Sequence, residues 1–320
     1  MRYIRRRLLH GLFLLVGVSL LSFAFSELAP GDYFEQMRLN PQISSDAVAR
    51  LRSKYGMDRP LPVRYYIWVR SVASGQFGYS FAYNRPVSSL LWVRARNTLI
   101  LTGTTVLLAW TIAVPLGVWS ASRKGGLVDR MISGSTSLLL AIPDLVLALG
   151  LLLLAVRTAY FPTGGMVSLG FAELNFCSKF KDVAFHLFLP VSALVLGTLP
   201  VLIRHVRAAM LQTLESPFMR TAHAYGIPRQ RRLFRYALPA AANPMISLFG
   251  FSVGTMLSAS LLIEVIMSWP GLGPLLLEAI LARDLYVLID AVMLSSIFWI
   301  AGNIFADAML YVSDPRLRVE

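Results

Sequence analysis

Charge is what this sequence has least of. Only 15% of its 320 residues are Asp, Glu, Lys or Arg, where a soluble domain uses roughly 25%, so the chain cannot cover a large water-facing surface. Acids are scarcer still, 17 against 30 basic side chains, giving a net charge of +13. A nucleic-acid binder gathers its basic residues on one soluble face, whereas here they alternate with long apolar runs, which argues against nucleic acid as a partner. One cysteine, Cys177, excludes a disulfide framework and a cysteine-based metal site. The four histidines (His10, His186, His205 and His223) are scattered. No Gly-Lys pair occurs, so no P-loop can cradle nucleotide phosphates. H-E-x-x-H is absent, and no nucleophile–base pair offers itself, so the sequence does not read as an enzyme. Internal repeats are also missing, which weakens a secondary transporter built from paired halves.

What is abundant is apolar sequence, 56% of the chain. A helix rising 1.5 Å per residue needs about 20 apolar residues to cross a ~30 Å hydrocarbon core. Six runs come near that length: Leu8–Phe25, Leu99–Ala121, Met131–Val156, His186–Ile203, Met245–Met267 and Leu288–Val312. The ten-residue alternation of an outer-membrane barrel is absent, so the runs read as helices, which satisfy their own backbone in lipid. The expected fold is an all-α integral membrane protein of six spans. Arg2, Arg5, Arg6 and Arg7 before the first run resemble the start of a signal peptide. The apolar stretch exceeds the usual 7–15 residues, however, and no small-x-small site follows cleanly; we expect a retained first span.

Orientation follows from basic residues in short loops. With the N-terminus inside, segments 1–7, 122–130, 204–244 and 313–320 hold 16 of the 30 Lys and Arg, whereas outer loops 157–185 and 268–287 hold four. Both termini are therefore expected on the cytoplasmic side. This divides the chain into an N-terminal arm and first span (1–28), an outer insert (29–96), a five-span core (97–312) with a cytoplasmic loop at 204–244, and a cytoplasmic tail (313–320). The insert reads as small and helical. Ser44 or Ser45 caps a helix with Val48, Leu51 and Tyr55 on its apolar side and Gly56 as its stop. Pro62 opens a second helix carrying Val63, Tyr66 and Ile67 to about Gly75.

In the loop 204–244, Leu211–Ala224 reads as a helix, Gly226 as its stop, and Pro228 as the first turn of a basic amphipathic stretch ending at Leu238-Pro239. Two readings stand: a basic tether against anionic lipid headgroups, or a docking element for a cytoplasmic partner. Within the spans, polar groups are few. Asp144 follows Pro143 in an apolar run, where an acid costs about 2.5–3.5 kcal/mol at mid-bilayer. It lines a pathway and meets a cationic solute group, or it bonds backbone freed by the proline. Asn303 and Asp307 fall at i and i+4 on one face, as helix–helix glue or pathway wall. Pro115, Pro190 and Pro200 are expected to kink their helices.

Arg220-Thr-Ala-His-Ala-Tyr-Gly226, nine residues, then Tyr236-Ala-Leu-Pro239 resembles the EAA loop of bacterial ABC-importer permeases. The spacing is kept, although Arg220 stands for the Glu, Thr221 for the first Ala and Tyr236 for the usual Ile. The Arg-Thr-Ala start is similar to the dipeptide/oligopeptide/nickel branch. So are Tyr55-Gly-Met-Asp-Arg-Pro-Leu-Pro62, Gly75-Gln-Phe-Gly-Tyr-Ser80, Glu264-Val-Ile-Met-Ser-Trp-Pro-Gly-Leu-Gly273 and Asp314-Pro-Arg316. The resemblance implies a permease subunit in the bacterial inner membrane with no cofactor of its own. A second homologous permease, two cytoplasmic ATPases that bind ATP and Mg, and an extracytoplasmic solute-binding protein would be its partners, with lipid around it. The loop about Gly226 would couple to the ATPases. There Ala222 and Ala224 allow close approach, Arg229, Arg231, Arg232 and Arg235 pair with acids, and Leu238-Pro239 closes the motif. Glu264 and Trp269, on the stretch before the last span, join Asp144, Asn303 and Asp307 as pathway residues. The alternative is an ATP-independent secondary transporter or channel.

Overall fold

A computed structural model describes residues 2–28, 31–38 and 43–313. The chain divides into two compact units, one built from residues 1–98 and 270–298, the other from 99–269 and 299–320. Among the described residues five helices are long and apolar enough to cross a membrane, or six if one bent pair forms a single span.

The first unit begins with α1 (Arg2–Leu28). The short α2 (Tyr33–Arg38) and α3 (Ser45–Lys54) follow. Ser44 caps α3 by accepting the Ala47 N–H at 3.2 Å, Val48 is fully buried, and Gly56 stops the helix at φ +68°, as the sequence predicts. In α4 (Leu61–Ala73) Pro62 sits in the first turn, as expected. Val63, Tyr66 and Ile67 are exposed, and Trp68 is the buried side chain. The reason is its polar handle. Trp68 packs on Phe23 of α1 with ring centroids 5.2 Å apart, and its indole N–H donates to Asp290 Oδ1 at 2.9 Å, a combination no aliphatic residue offers. A two-stranded hairpin, β1 (Tyr79–Ser80) with β2 (Arg85–Pro86), adds an element the sequence did not announce. Its Ser80 hydroxyl donates to Asp284 Oδ2 at 2.6 Å, and the Ala82 N–H reaches the same oxygen at 3.1 Å.

Helix α5 (Val87–Ser122) starts in the first unit and ends in the second. It is followed by α6 (Leu127–Leu140) and α7 (Asp144–Thr158). Here the 26-residue run expected as one span is broken, since α6 and α7 meet at 92°. Pro143 cannot donate to Leu139 and disfavours helical backbone at Ile142, so the helix ends at Leu140 and restarts after the proline. No such break occurs at Pro115, Pro190 or Pro200, through which α5 and α8 (Phe176–Leu214) run on. Helix α8, about 58 Å long at 1.5 Å per residue, packs against α6, α7 and α12 and is the axis of the second unit.

The short α9 (Pro217–Ala224) comes next, then a compact run of α10 (Arg229–Arg231), a π-helical turn (Arg232–Ala237) and α11 (Leu238–Ala240). The chain finishes with α12 (Ala242–Ile266), α13 (Leu272–Leu281) and α14 (Leu285–Ser313). Helix α13 lies within the stretch 268–287, read from sequence as an outer loop. The second half of α14 lies tight on α12: a carbon added at Gly254 would overlap the Trp299 ring, and one at Gly302 would come within 2.6 Å of Val253. The tail motif Asp314-Pro-Arg316 lies outside the described residues.

Candidate functional site

Residues 204–244 fold as a knuckle on the second unit. Helix α8 ends at Leu214, Ser216 is extended, and Pro217 starts α9. The predicted helix Leu211–Ala224 is thus two helices, because a proline at the first helical position costs nothing, whereas inside it would remove a helix hydrogen bond. Met219 turns inward against Val206, Met210, Ala237 and Ala241, and Ala222 is also buried. Phe218 is 47% and Tyr225 82% exposed, and Arg220, Thr221 and Ala224 share the exposed surface. Gly226 closes α9 in the left-handed region at φ +72°. Its N–H donates to the His223 carbonyl at 2.9 Å, and the Ile227 N–H to the Ala222 carbonyl at 3.3 Å, the bonds that finish a helix at a glycine.

Behind α9, Pro228 caps the basic stretch. Arg231 and Arg235 are exposed, and Arg232 and Leu238 half-buried. Arg229 donates to the Ser122 carbonyl at the end of α5. The predicted close of this helix at Leu238-Pro239 is passed by one residue.

A clasp that sequence reasoning missed holds the knuckle to the helices above it. Asp129, 4% exposed, accepts from Arg207 Nε at 2.7 Å and Nη2 at 2.8 Å. It also accepts the Ser120 hydroxyl at 2.5 Å and the Gly125 N–H at 2.8 Å. One carboxylate therefore ties the end of α5, the following turn, α6 and α8. The available signal was its isolation, since Asp129 is the only acid in segment 122–130. Nearby, the exposed pair Lys124–Glu215 spans 2.5 Å, and the Lys124 ammonium holds the Glu215 carboxyl below the usual carboxylate range.

The five candidates within the spans occupy different settings. Asp144 is the exposed first residue of α7, where an acid suits the positive helix end. Its carboxyl carbon lies 3.1 Å from where a side chain on Gly197 of α8 would begin. Asn303 donates to the Trp299 carbonyl at 2.9 Å on its own helix, and Asp307, one turn on, is half-buried. Glu264 and Trp269 are both fully buried, joined by a Trp269 N–H to Glu264 carbonyl bond of 2.8 Å.

Two family models match the chain. Residues 113–319 match the binding-protein-dependent transport system inner membrane component, and residues 1–102 the N-terminal membrane component of the same systems. The chain belongs to this family. It is a transport permease of a bacterial inner membrane, not a catalytic enzyme, and membership implies ATPase and solute-binding partners. Family relatives include the oligopeptide transport system permease protein AppB of Bacillus subtilis, 35% identical over 99% of both chains. The dipeptide transport system permease protein DppB of Escherichia coli is 32% identical over 99% of both. Among solved structures the inward-facing MetNI methionine ABC transporter shares the fold, with a TM-score of 0.57 at 17% identity, over 70% of this chain and 96% of that one.

Proposed function

We propose that the chain is one of two homologous permease subunits of an ATP-driven peptide importer. The alignment of nearly the whole chain with oligopeptide and dipeptide permeases carries this reading. It crosses the membrane six times, α6 and α7 forming one broken span, with both termini cytoplasmic and residues 29–96 outside. Two ATPases grip the knuckle, and a solute-binding protein delivers peptide from the other side.

In this reading α9 is the coupling element. Met219 belongs to the permease's own core and Ala222 is buried beside it on the helix, which leaves Phe218, Arg220, Thr221, Ala224 and Tyr225 to meet the ATPase groove. Large, half-rigid aromatic rings make good anchors in such grooves. Gly226 lets the chain leave the groove sharply, and Arg231 and Arg235 steer the encounter more than they strengthen it. Arg229 and Arg232 instead brace the knuckle, with Leu238 and Pro239 closing it. Along the pathway, Asp144 offers a carboxylate to a peptide ammonium, and Asn303 and Asp307 line the last span. Glu264 and Trp269 set the joint before α13. The test is uptake of a labelled dipeptide into proteoliposomes holding the full complex. Uptake that needs ATP and the binding protein supports the assignment; uptake by this chain without ATP overturns it in favour of a secondary transporter or channel.

A further inference from the structure

The first unit holds a cavity of about 450 Å³ to which the proposed function assigns no role. Its position is unusual. One wall is the end of α1, from Ser22 to Glu27, and another is the start of α14, with Leu288 and Val292; α13 contributes Ile280. Phe25 and Ile280 are exposed large apolar side chains on this rim. The lower wall is therefore hydrocarbon-like where α1 and α14, both long and apolar enough to span, run into the bilayer.

The upper wall is charged, and balanced. Glu27, Asp32 and Glu35 face Arg52, Arg64 and Arg283 across it. Two of these couples are already made, Arg64 with Glu27 at 3.0 Å and Arg52 with Asp32 at 3.1 Å. Arg283 and Glu35 make no ion pair with the described residues. Both reach over Gly31, whose φ of +77° and bare α-carbon leave the space they occupy: an added carbon would overlap the Arg283 guanidinium and lie 2.6 Å from Glu35 Oε2. A guanidinium and a carboxylate thus share one mouth, above an apolar wall that descends along two spans.

We propose that this cavity binds the headgroup of a zwitterionic aminophospholipid, with phosphatidylethanolamine as its chemical type. The phosphate meets Arg283, whose planar fork suits phosphate oxygens. The ammonium meets Glu35, and an acyl chain lies along Phe25, Leu288 and Val292. The neutral sum of the lining disfavours a purely anionic headgroup, which would leave Glu35 opposed to a second negative group. A free amino acid or peptide carries the same pair of charges but has nothing to lay against the apolar wall, and that wall is why the lipid is preferred. The inference uses only the spanning character of α1 and α14, so it stands or falls apart from peptide transport.

The test uses the full-length chain, purified in mild detergent, stripped of lipid, and titrated with phosphatidylethanolamine or phosphatidylglycerol of identical acyl chains under native mass spectrometry. We expect one tightly held phosphatidylethanolamine, preferred at least tenfold over phosphatidylglycerol. Arg283→Glu weakens it tenfold or more, the scale of a lost charge-assisted contact. Glu35→Gln keeps phosphate binding and abolishes the preference between the two lipids. Both positions are exposed, and unchanged helicity by circular dichroism confirms that each variant is folded. Equal binding of the two lipids by the unaltered chain, or no effect of Arg283→Glu, overturns the proposal. So does displacement of the lipid by an equimolar free dipeptide, which would make the pocket a site for soluble zwitterions.

Discussion

Removing the Asp129 carboxylate puts the clasp to a quantitative test. Asp129→Ala withdraws the acceptor from four donors at once: two Arg207 nitrogens, the Ser120 hydroxyl and the Gly125 N–H. Ser120 is fully buried, and an orphaned buried donor costs about 1–3 kcal/mol. Breaking a fully buried ion pair costs about 3–5 kcal/mol, but the Arg207 side chain is 29% exposed and water takes up part of its charge. We therefore expect a loss of about 3 kcal/mol, measured as equilibrium unfolding in mixed micelles. Arg207→Met alone strands the carboxylate and should cost a similar amount. The double variant should cost much less than the sum, with a coupling of about 2 kcal/mol. Amide hydrogen exchange should speed up between Ser120 and Gly126 before it does in mid-α8. Costs that add within about 0.5 kcal/mol, or an Asp129→Ala protein as stable as its parent, would refute the reasoning: the four bonds would then not be holding these helices together.

Four further outcomes follow from the same geometry. Tyr225→Ala, at an 82% exposed ring, should weaken co-purification with the cognate ATPase by tenfold or more while leaving insertion unchanged, read by pull-down and protease protection. At Gly226 nothing lies within 4 Å of an added carbon, so Gly226→Ala pays only the left-handed backbone, about 1–2 kcal/mol; this should fray α9 in hydrogen exchange without lowering membrane content. Asp144→Asn should cut uptake of peptides with a free amino terminus several-fold more than that of N-acetylated ones, with ATPase association intact in the same preparation. In Lys124→Gln the Glu215 carboxyl should titrate at higher pH than in the parent, followed by carbon NMR of labelled glutamate. The pair should add nothing measurable to stability at high salt, as expected of an exposed pair.

Hydropathy made the spans legible because the cost of moving a side chain into hydrocarbon depends mainly on its own chemistry. Four of the six apolar runs lie inside helices that begin earlier or end later than the run itself, as with His186–Ile203 inside α8. The extra turns carry Lys179 and Lys181 or Arg204 and Arg207, invisible to an apolar criterion although good helix formers. The break at Pro143 was not legible. Four prolines sit in comparable apolar surroundings, and only here does the chain turn, so the bend depends on packing of α6 and α7 against α8 and not on the proline alone. Around the knuckle, glycine and proline spacing located Gly226 and Pro228 correctly. The inward face of α9 and the clasp at Asp129 were hidden, since both depend on side chains up to 78 residues apart in sequence, as Asp129 and Arg207 are. Trp68 shows the same limit. Periodicity selects apolar residues one by one, whereas its burial is decided by a hydrogen bond to Asp290, 222 positions away.

The right-angled turn between α6 and α7 has a consequence for solvation. A helix that stops inside a bilayer exposes peptide carbonyls at one end and peptide N–H groups at the other, and hydrocarbon satisfies neither. If α6 and α7 form one broken span, as proposed above, those groups must find protein or water at the elbow Ala141–Pro143, and the lipid seal is interrupted there. A permease has reason to keep one such damp notch at mid-depth, because a polar cargo can only pass where the surroundings already tolerate polarity.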